Sequence, residues 1–118
     1  MTGYLSTHIL DTANGLPASG VEIVLYRLDG EARQIVAKAI TNADGRTDQP
    51  LLDQKAFATG VYELVFAVGP YLRATQSNLP EPLFLDEVPI RFGISDAEAH
   101  YHVPLLLSAH GMTTYRGS

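Results

Sequence analysis

Short stretches in which apolar and polar residues alternate recur along the chain, and this period of two constrains the fold more than any other feature. Successive side chains of a β-strand point to opposite faces, so each such stretch predicts a strand with one buried face. The stretches are 4–10, 21–28, 34–41, 61–68, 88–94, 101–107 and 113–116. Turn residues separate them, for example Asp29 with Gly30 and Asp44 with Gly45. This pattern predicts an all-β protein with two packed sheets.

Residues 69–78 are the one segment that predicts a short helix. Pro80 and Pro82 prevent regular structure just after this segment. No repeat or linker divides the chain, and 118 residues is an ordinary size for one domain. We therefore predict a single domain over residues 1–118.

The composition argues against several classes of function. Eight basic residues stand against 13 acidic ones, a net charge of −5, which disfavours nucleic-acid binding. The chain has no cysteine, so disulfides and cysteine-based metal sites or nucleophiles are absent. Its first residues lack the pattern of a signal peptide, and no apolar run approaches the about 18 residues of a membrane span. We expect a cytoplasmic protein that binds neither nucleic acid nor membrane.

The strand period also predicts where two histidines point. Residues Tyr101, Val103, Leu105 and Leu107 form an apolar face suited to the core, so the alternate set His100, His102, Pro104 and Leu106 points outward. In the first strand, His8 is likewise expected on the outer face, beside Leu10. Apolar residues beside histidines on an outer face suggest that another subunit covers it, with a site at the subunit interface.

Each of these polar residues has more than one interpretation. The pair His100 and His102 fits acid–base chemistry, a zinc site completed by His8 or His110, or a solvated surface pair. Arg46 follows an Asp-Gly turn, where a solvated arginine is common. The last four residues, Tyr115 to Ser118, place a phenol, a guanidinium, a hydroxyl and a carboxylate together, or form a frayed end.

Four segments in order resemble one family and together bracket almost the whole chain. They are residues 5–12 (LSTHILDT) with Gly15, Pro17 and Ala18, then 41–46 (TNADGR), 100–108 (HYHVPLLLS) and the terminal YRGS at 115–118. With these segments the chain resembles the 5-hydroxyisourate hydrolases, the transthyretin-like enzymes of urate breakdown. The terminal YRGS is the most specific segment, because transthyretin proper, a hormone carrier, lacks it.

The resemblance implies a prealbumin-type sandwich that assembles as a homotetramer, a dimer of dimers with active sites at the dimer–dimer interface. It also implies hydrolytic opening of the ring of 5-hydroxyisourate without a metal or an organic cofactor. The catalytic positions that it implies are His8, Arg46, His102 and Ser118, with the C-terminal Arg116. We expect Arg116, Tyr115 and Leu106 to bind the substrate. On chemical grounds, His102 or His8 is the general base, and Arg46 and Arg116 stabilise developing negative charge.

This chain departs from the family pattern after Ser108, where Ala109, His110 and Met112 replace a proline and aromatic residues. These substitutions change the loop before the tail. Three competing hypotheses remain: a small-ligand carrier on the same sandwich, a zinc site at His100 and His102, and a plain interaction domain. A carrier does not require His8, Arg46 and the tail together, so their joint presence favours the hydrolase.

Overall fold

The computed structural model describes residues 2–117, which form eight strands and one short helix. The strands are β1 (Tyr4–Asp11), β2 (Leu16–Pro17), β3 (Glu22–Asp29), β4 (Ala32–Ile40), β5 (Gly60–Ala67), β6 (Glu87–Ile94), β7 (His100–Ser108) and β8 (Gly111–Thr114), and the helix α1 is Gly69–Thr75. The prediction of an all-β fold with one short helix is therefore confirmed.

The strands form two four-stranded sheets. One has the order β2-β1-β7-β8 and is called the histidine sheet below, because it carries His8, His100 and His102. The other, the second sheet, has the order β4-β3-β5-β6 and is antiparallel throughout. Buried apolar side chains from both sheets form one core, for example Ile9 and Leu105 from the first and Leu64 from the second.

Strands β1 and β7 lie in the middle of the histidine sheet and run parallel to each other. Burial alternates along β1, where Leu5, Thr7 and Ile9 are at most 1% exposed and the residues between them are half-buried. In β7 the predicted inward set of Tyr101, Val103, Leu105 and Leu107 is buried, at most 5% exposed. The two outer faces therefore join into one surface, as the period of two predicted, although Pro104 on the predicted outer face of β7 is buried.

Helix α1 connects β5 to the segment before β6 and packs through Leu72, which is 1% exposed. Pro70 stands in its first turn, where the missing N–H costs no hydrogen bond. The Tyr71 hydroxyl donates to the Asp11 carboxylate at 2.7 Å, which ties the helix to the end of β1. Burial would raise the pKa of Asp11, but hydrogen bonds from Asn14, Tyr71 and the backbone outweigh it and lower that pKa.

Most strand bounds differ from the predicted ones by one or two residues, and the helix ends at Thr75 instead of residue 78. Two of the strand differences have a clear cause. The predicted turn at 11–17 contains β2, whose two residues are too few to show an alternating pattern. The last strand is Gly111–Thr114 instead of 113–116, because Gly111 already pairs with Ser108 and the chain leaves the ladder after Thr114. Within residues 2–117, no helix has the length and apolar character needed to cross a membrane.

Candidate active site

The strand register places the polar residues of the candidate site in rows on the outer face of the histidine sheet. Tyr4 lies opposite His100, and Ser6 lies opposite His102. The ring of His100 stacks on that of Tyr4, with centroids 3.9 Å apart and an angle of 11° between the planes. Two strands that are distant in sequence thus bring an aromatic ring, a hydroxyl and two imidazoles together.

A single hydroxyl joins the two imidazoles. Ser6 Oγ lies 2.7 Å from His100 Nε2 and 2.8 Å from His102 Nδ1, and all three side chains are partly buried. The second ring nitrogen of His102 is thereby left for other partners. The sequence showed Ser6 on the same face as His8, two residues earlier, but its role as a link between the histidines was missed.

Arg46 reaches this surface because its loop is fastened to β1. The Asn42 side-chain oxygen accepts hydrogen bonds from the backbone N–H groups of Asp44 at 2.9 Å and Arg46 at 3.2 Å. The Ile9 N–H donates to the Gly45 carbonyl at 2.8 Å. Gly45 has a φ of +73°, and a Cβ there would overlap the Ile9 carbonyl oxygen, so only glycine fits this close approach. The loop of residues 42–46 is consequently held beside His8 and Ser6.

His8 is bound to the same loop. Its Nε2 lies 2.9 Å from the Asp44 carbonyl oxygen. A carbonyl oxygen only accepts hydrogen bonds, so His8 Nε2 carries the hydrogen, and in the neutral ring the free lone pair is on Nδ1.

An open cavity of about 410 Å³ lies over these residues and is lined by Tyr4, Ser6, Arg46, His100 and His102. A larger groove of about 600 Å³ lies on the second sheet, and its charged lining residues are Glu22, Arg33, Lys38, Glu63 and Glu87. None of the predicted site residues lines that groove. The larger cavity and the cavity that contains the predicted site residues are therefore on different sheets. We place the candidate site at the smaller cavity, because its side chains can transfer protons and bind an anion.

The surroundings of both imidazoles favour their neutral forms. Burial lowers the pKa of His102 below the ordinary value of 6.5, and electrostatic repulsion, first from the charge of Arg46 and then from the neighbouring imidazoles of His100 and His8, lowers it further. Burial also lowers the pKa of His100, followed by the charge of Arg116. Both rings are thus neutral at pH 7 and able to accept a proton.

The C-terminal tail returns to the site at Gly117. Its N–H donates to the His102 carbonyl at 2.7 Å, and a Cβ at Gly117 would lie 2.9 Å from His102 Cδ2, on the ring. The Arg116 guanidinium lies over the Tyr101 ring, 4.0 Å from its centroid, and donates to the His100 carbonyl at 3.5 Å. The tail therefore packs directly against the β7 histidines.

The remaining predicted residues lie outside the single-chain cavity. His8, Arg116 and Leu106 do not line it, and Tyr115 is 58% exposed. Ser118 lies outside the described residues. His110 packs against Phe84, with ring centroids 5.9 Å apart, rather than joining the other histidines. Among residues 2–117, no group of three or more His, Cys, Asp or Glu side chains is arranged to hold a metal ion.

The sequence matches one protein family over nearly its whole length. Residues 5–117 match the model of the HIUase/Transthyretin family. The chain is 58% identical over 117 residues to 5-hydroxyisourate hydrolase 2 of Rhizobium meliloti (strain 1021), covering 99% of this chain and 98% of the relative. It is 60% identical over 116 residues to 5-hydroxyisourate hydrolase of Mesorhizobium japonicum, covering 98% of this chain and 93% of the relative.

A solved structure shows the same fold. The 5-hydroxyisourate hydrolase of Klebsiella pneumoniae superposes with a TM-score of 0.76 at 35% identity, covering 98% of this chain and 99% of the other. The family match and the relatives cover nearly the full length of the chain, including the strands and the loop that form the candidate site. The chain belongs to the HIUase/Transthyretin family.

Proposed function

We propose that this protein is a hydrolase that opens the ring of 5-hydroxyisourate to give 2-oxo-4-hydroxy-4-carboxy-5-ureidoimidazoline in urate degradation. The observation that carries the proposal is the cavity in which Arg46 and His102 lie together, with the tail packed on His102. Near-full-length relatives that bear the name 5-hydroxyisourate hydrolase support the choice of substrate. The hydrolase is therefore favoured over a carrier that only binds ligands.

In this proposal His102 is the general base. Its Nδ1 is engaged by Ser6, so its Nε2 is the nitrogen available to take a proton from water. The hydroxide formed attacks a ring carbonyl carbon, the carbon–nitrogen bond breaks, and the leaving nitrogen receives the proton that His102 took from the water. A base held in this way typically contributes about 10²–10⁴-fold to the rate. His8, fixed through Nε2 to the 42–46 loop, orients the water or the substrate.

Arg46 stabilises the negative charge that develops on the attacked carbonyl oxygen. A guanidinium presents paired N–H donors that match adjacent acceptors of a carbonyl-rich ring. In favourable cases the loss of such a donor costs about 3–4 kcal/mol of transition-state stabilisation. The residues of this chain supply a base and a charged donor, and the proposed reaction requires no metal or organic cofactor.

We further propose that the working enzyme is a homotetramer, a dimer of dimers, in which a second subunit closes the cavity. The exposed Tyr115 and the half-buried Leu106 support this arrangement, since apolar area beside a site favours a covering partner. Arg116, Tyr115 and Leu106 then contact substrate across the interface, and Ser118 adds its hydroxyl or carboxylate. We propose that this activity is located in the cytoplasm. Cell fractionation followed by activity assays tests this location.

The decisive experiment follows the ultraviolet decay of freshly generated 5-hydroxyisourate with and without the purified protein. We expect acceleration that survives a chelator and is abolished by His102→Asn, with the tetramer retained in light scattering. Deleting residues 116–118 should remove activity without unfolding the chain. If the intact protein does not accelerate decay, the hydrolase proposal is wrong; if a chelator stops it, a metal takes part.

A further inference from the structure

The Ser6 hydroxyl occupies a position that restricts the protons of two histidines at once. It lies within hydrogen-bond distance of His100 Nε2 at 2.7 Å and of His102 Nδ1 at 2.8 Å. A hydroxyl has one hydrogen to donate and two lone pairs to accept with. It can therefore donate to one of these nitrogens while accepting from the other, or accept from both.

Only one of these arrangements leaves His102 unable to act as a base. If Ser6 donates to His102 Nδ1, the hydrogen of the neutral His102 ring is on Nε2, which then has no lone pair. If His102 Nδ1–H donates to Ser6, Nε2 keeps its lone pair, and Ser6 can donate to His100 Nε2. The tautomers of the two rings are consequently coupled through one oxygen atom.

The charge around the cavity disfavours the arrangement in which Ser6 donates to His102 Nδ1. His102 and Arg46 line the same cavity, and Nε2 is the ring nitrogen of His102 that Ser6 does not contact. A lone pair facing a guanidinium is favourable, whereas an N–H facing it is not. The Arg46 charge thus favours the tautomer in which His102 Nδ1–H donates to Ser6.

We propose that Ser6 and His100 are positioning residues that hold His102 as its Nδ1–H tautomer, with Nε2 free to act as the base. The hydrogen-bond chain runs from His102 Nδ1–H to Ser6 Oγ and from Ser6 O–H to His100 Nε2. His100 is fixed in turn by its stacking on Tyr4. The catalytic use of this tautomer rests on the proposed hydrolysis. The tautomer itself does not depend on any substrate.

The same chain assists the step after proton uptake. When His102 Nε2 accepts a proton, the ring becomes a cation and its Nδ1–H bond to Ser6 becomes charge-assisted and stronger. Groups that face His102 are Ser6 and His8 on β1, His100 on its own strand, and Arg46 in the 42–46 loop. Of these, Ser6 accepts a hydrogen bond from the charged ring and stabilises it, whereas the positive charge of Arg46 opposes it.

The first test reads the tautomer directly. Long-range proton–nitrogen NMR spectra of the full chain labelled with nitrogen-15 histidine, recorded at pH 7.5 without substrate, distinguish the two ring tautomers. We expect His102 to be protonated on Nδ1 in the wild type and to shift toward the Nε2–H form in Ser6→Ala. A wild-type His102 protonated on Nε2 would overturn the proposal, whether or not the protein hydrolyses 5-hydroxyisourate.

The second test is kinetic and applies if the wild type turns over substrate. Ser6→Ala should lower kcat about 10- to 100-fold with little change in KM. The reason is that a smaller fraction of His102 is in the form that can act as a base, whereas substrate binding is unchanged. The acid limb of the kcat/KM profile should move to lower pH, because the cationic ring loses its acceptor. Ser6→Thr keeps the hydroxyl and should restore both properties.

Two further variants separate positioning from general damage. His100→Phe keeps an aromatic ring on Tyr4 but removes the acceptor for Ser6, so it should show the same direction of change as Ser6→Ala, with a smaller size. Ser108→Ala is the matched control and should leave the activity unchanged, since within residues 2–117 the Ser108 hydroxyl donates only to the Gly111 carbonyl, at 3.3 Å. A rise in KM at constant kcat in Ser6→Ala would make Ser6 a substrate contact and contradict the positioning role.

Discussion

Replacing Gly45 by alanine probes how the loop that carries Arg46 is held against β1. The Gly45 carbonyl accepts the Ile9 N–H at 2.8 Å, and a Cβ would overlap the Ile9 carbonyl oxygen and lie 3.1 Å from Pro17 Cβ. The neighbour on the β1 side is backbone in the middle of the sheet, which cannot move aside cheaply. The loop must therefore lift away from β1, and Arg46 must move with it.

Gly15 provides a matched control for the cost of backbone conformation. Its φ of +69° is close to the +73° of Gly45, but a Cβ at Gly15 would meet no atom within 4 Å. Both alanine variants incur about 1–2 kcal/mol for the left-handed conformation. Gly45→Ala also loses a hydrogen bond of about 1 kcal/mol and gains the steric overlap. We expect a loss of unfolding free energy of about 1–2 kcal/mol for Gly15→Ala and about 3–4 kcal/mol for Gly45→Ala.

Urea and thermal unfolding at equal protein concentration measure these losses, with about 4 °C in Tm per kcal/mol for a chain of this size. The same preparations are assayed for decay of 5-hydroxyisourate. A displacement of about 1 Å in a positioned group can cost about 10²-fold, so Gly45→Ala should lose about that factor in kcat/KM while Gly15→Ala stays near the wild type. Equal effects of the two variants on stability and on rate would refute the argument that close packing on β1 places Arg46.

Three further outcomes test other parts of the structure. Arg46→Met should lower kcat/KM about 10²–10³-fold and move its acid limb to higher pH, because a charge that lowers the pKa of His102 is removed; an unmoved limb contradicts this. Tyr71→Phe should destabilise the fold by about 1.5–3 kcal/mol at pH 7, since a hydrogen bond to the Asp11 carboxylate is lost. Asp11 has a lowered pKa, so its stabilisation exists above pH 3.8 and is lost as the pH falls further; in urea titrations the Tyr71→Phe difference should shrink there. Gly117→Ala should reduce kcat with little loss of unfolding free energy, because its methyl group would press on the His102 ring; an unchanged kcat would contradict a role of this contact in placing His102.

The sheet faces were accessible from sequence because side-chain direction in a strand is a local property. Thr7 and Ile9 point inward and His8 points outward by the period of two alone, and the same rule separated Tyr101 from His102. The short helix was predicted from a segment that lacks alternation and is followed by prolines. The two-residue strand β2 was missed, because its formation depends on pairing with Leu10 and Asp11 and not on its own pattern.

The sequence by itself determined the fold class, the outward direction of the histidines and, through its motifs, the family. Which strands become neighbours depends on packing between residues far apart in the chain, so only the tertiary structure decided that β1 pairs in parallel with β7. That pairing puts Ser6 between His100 and His102. Likewise, the Asp-Gly turn was visible as a turn, but its docking on Ile9, which brings Arg46 to the histidines, is a contact between backbones that no local pattern records.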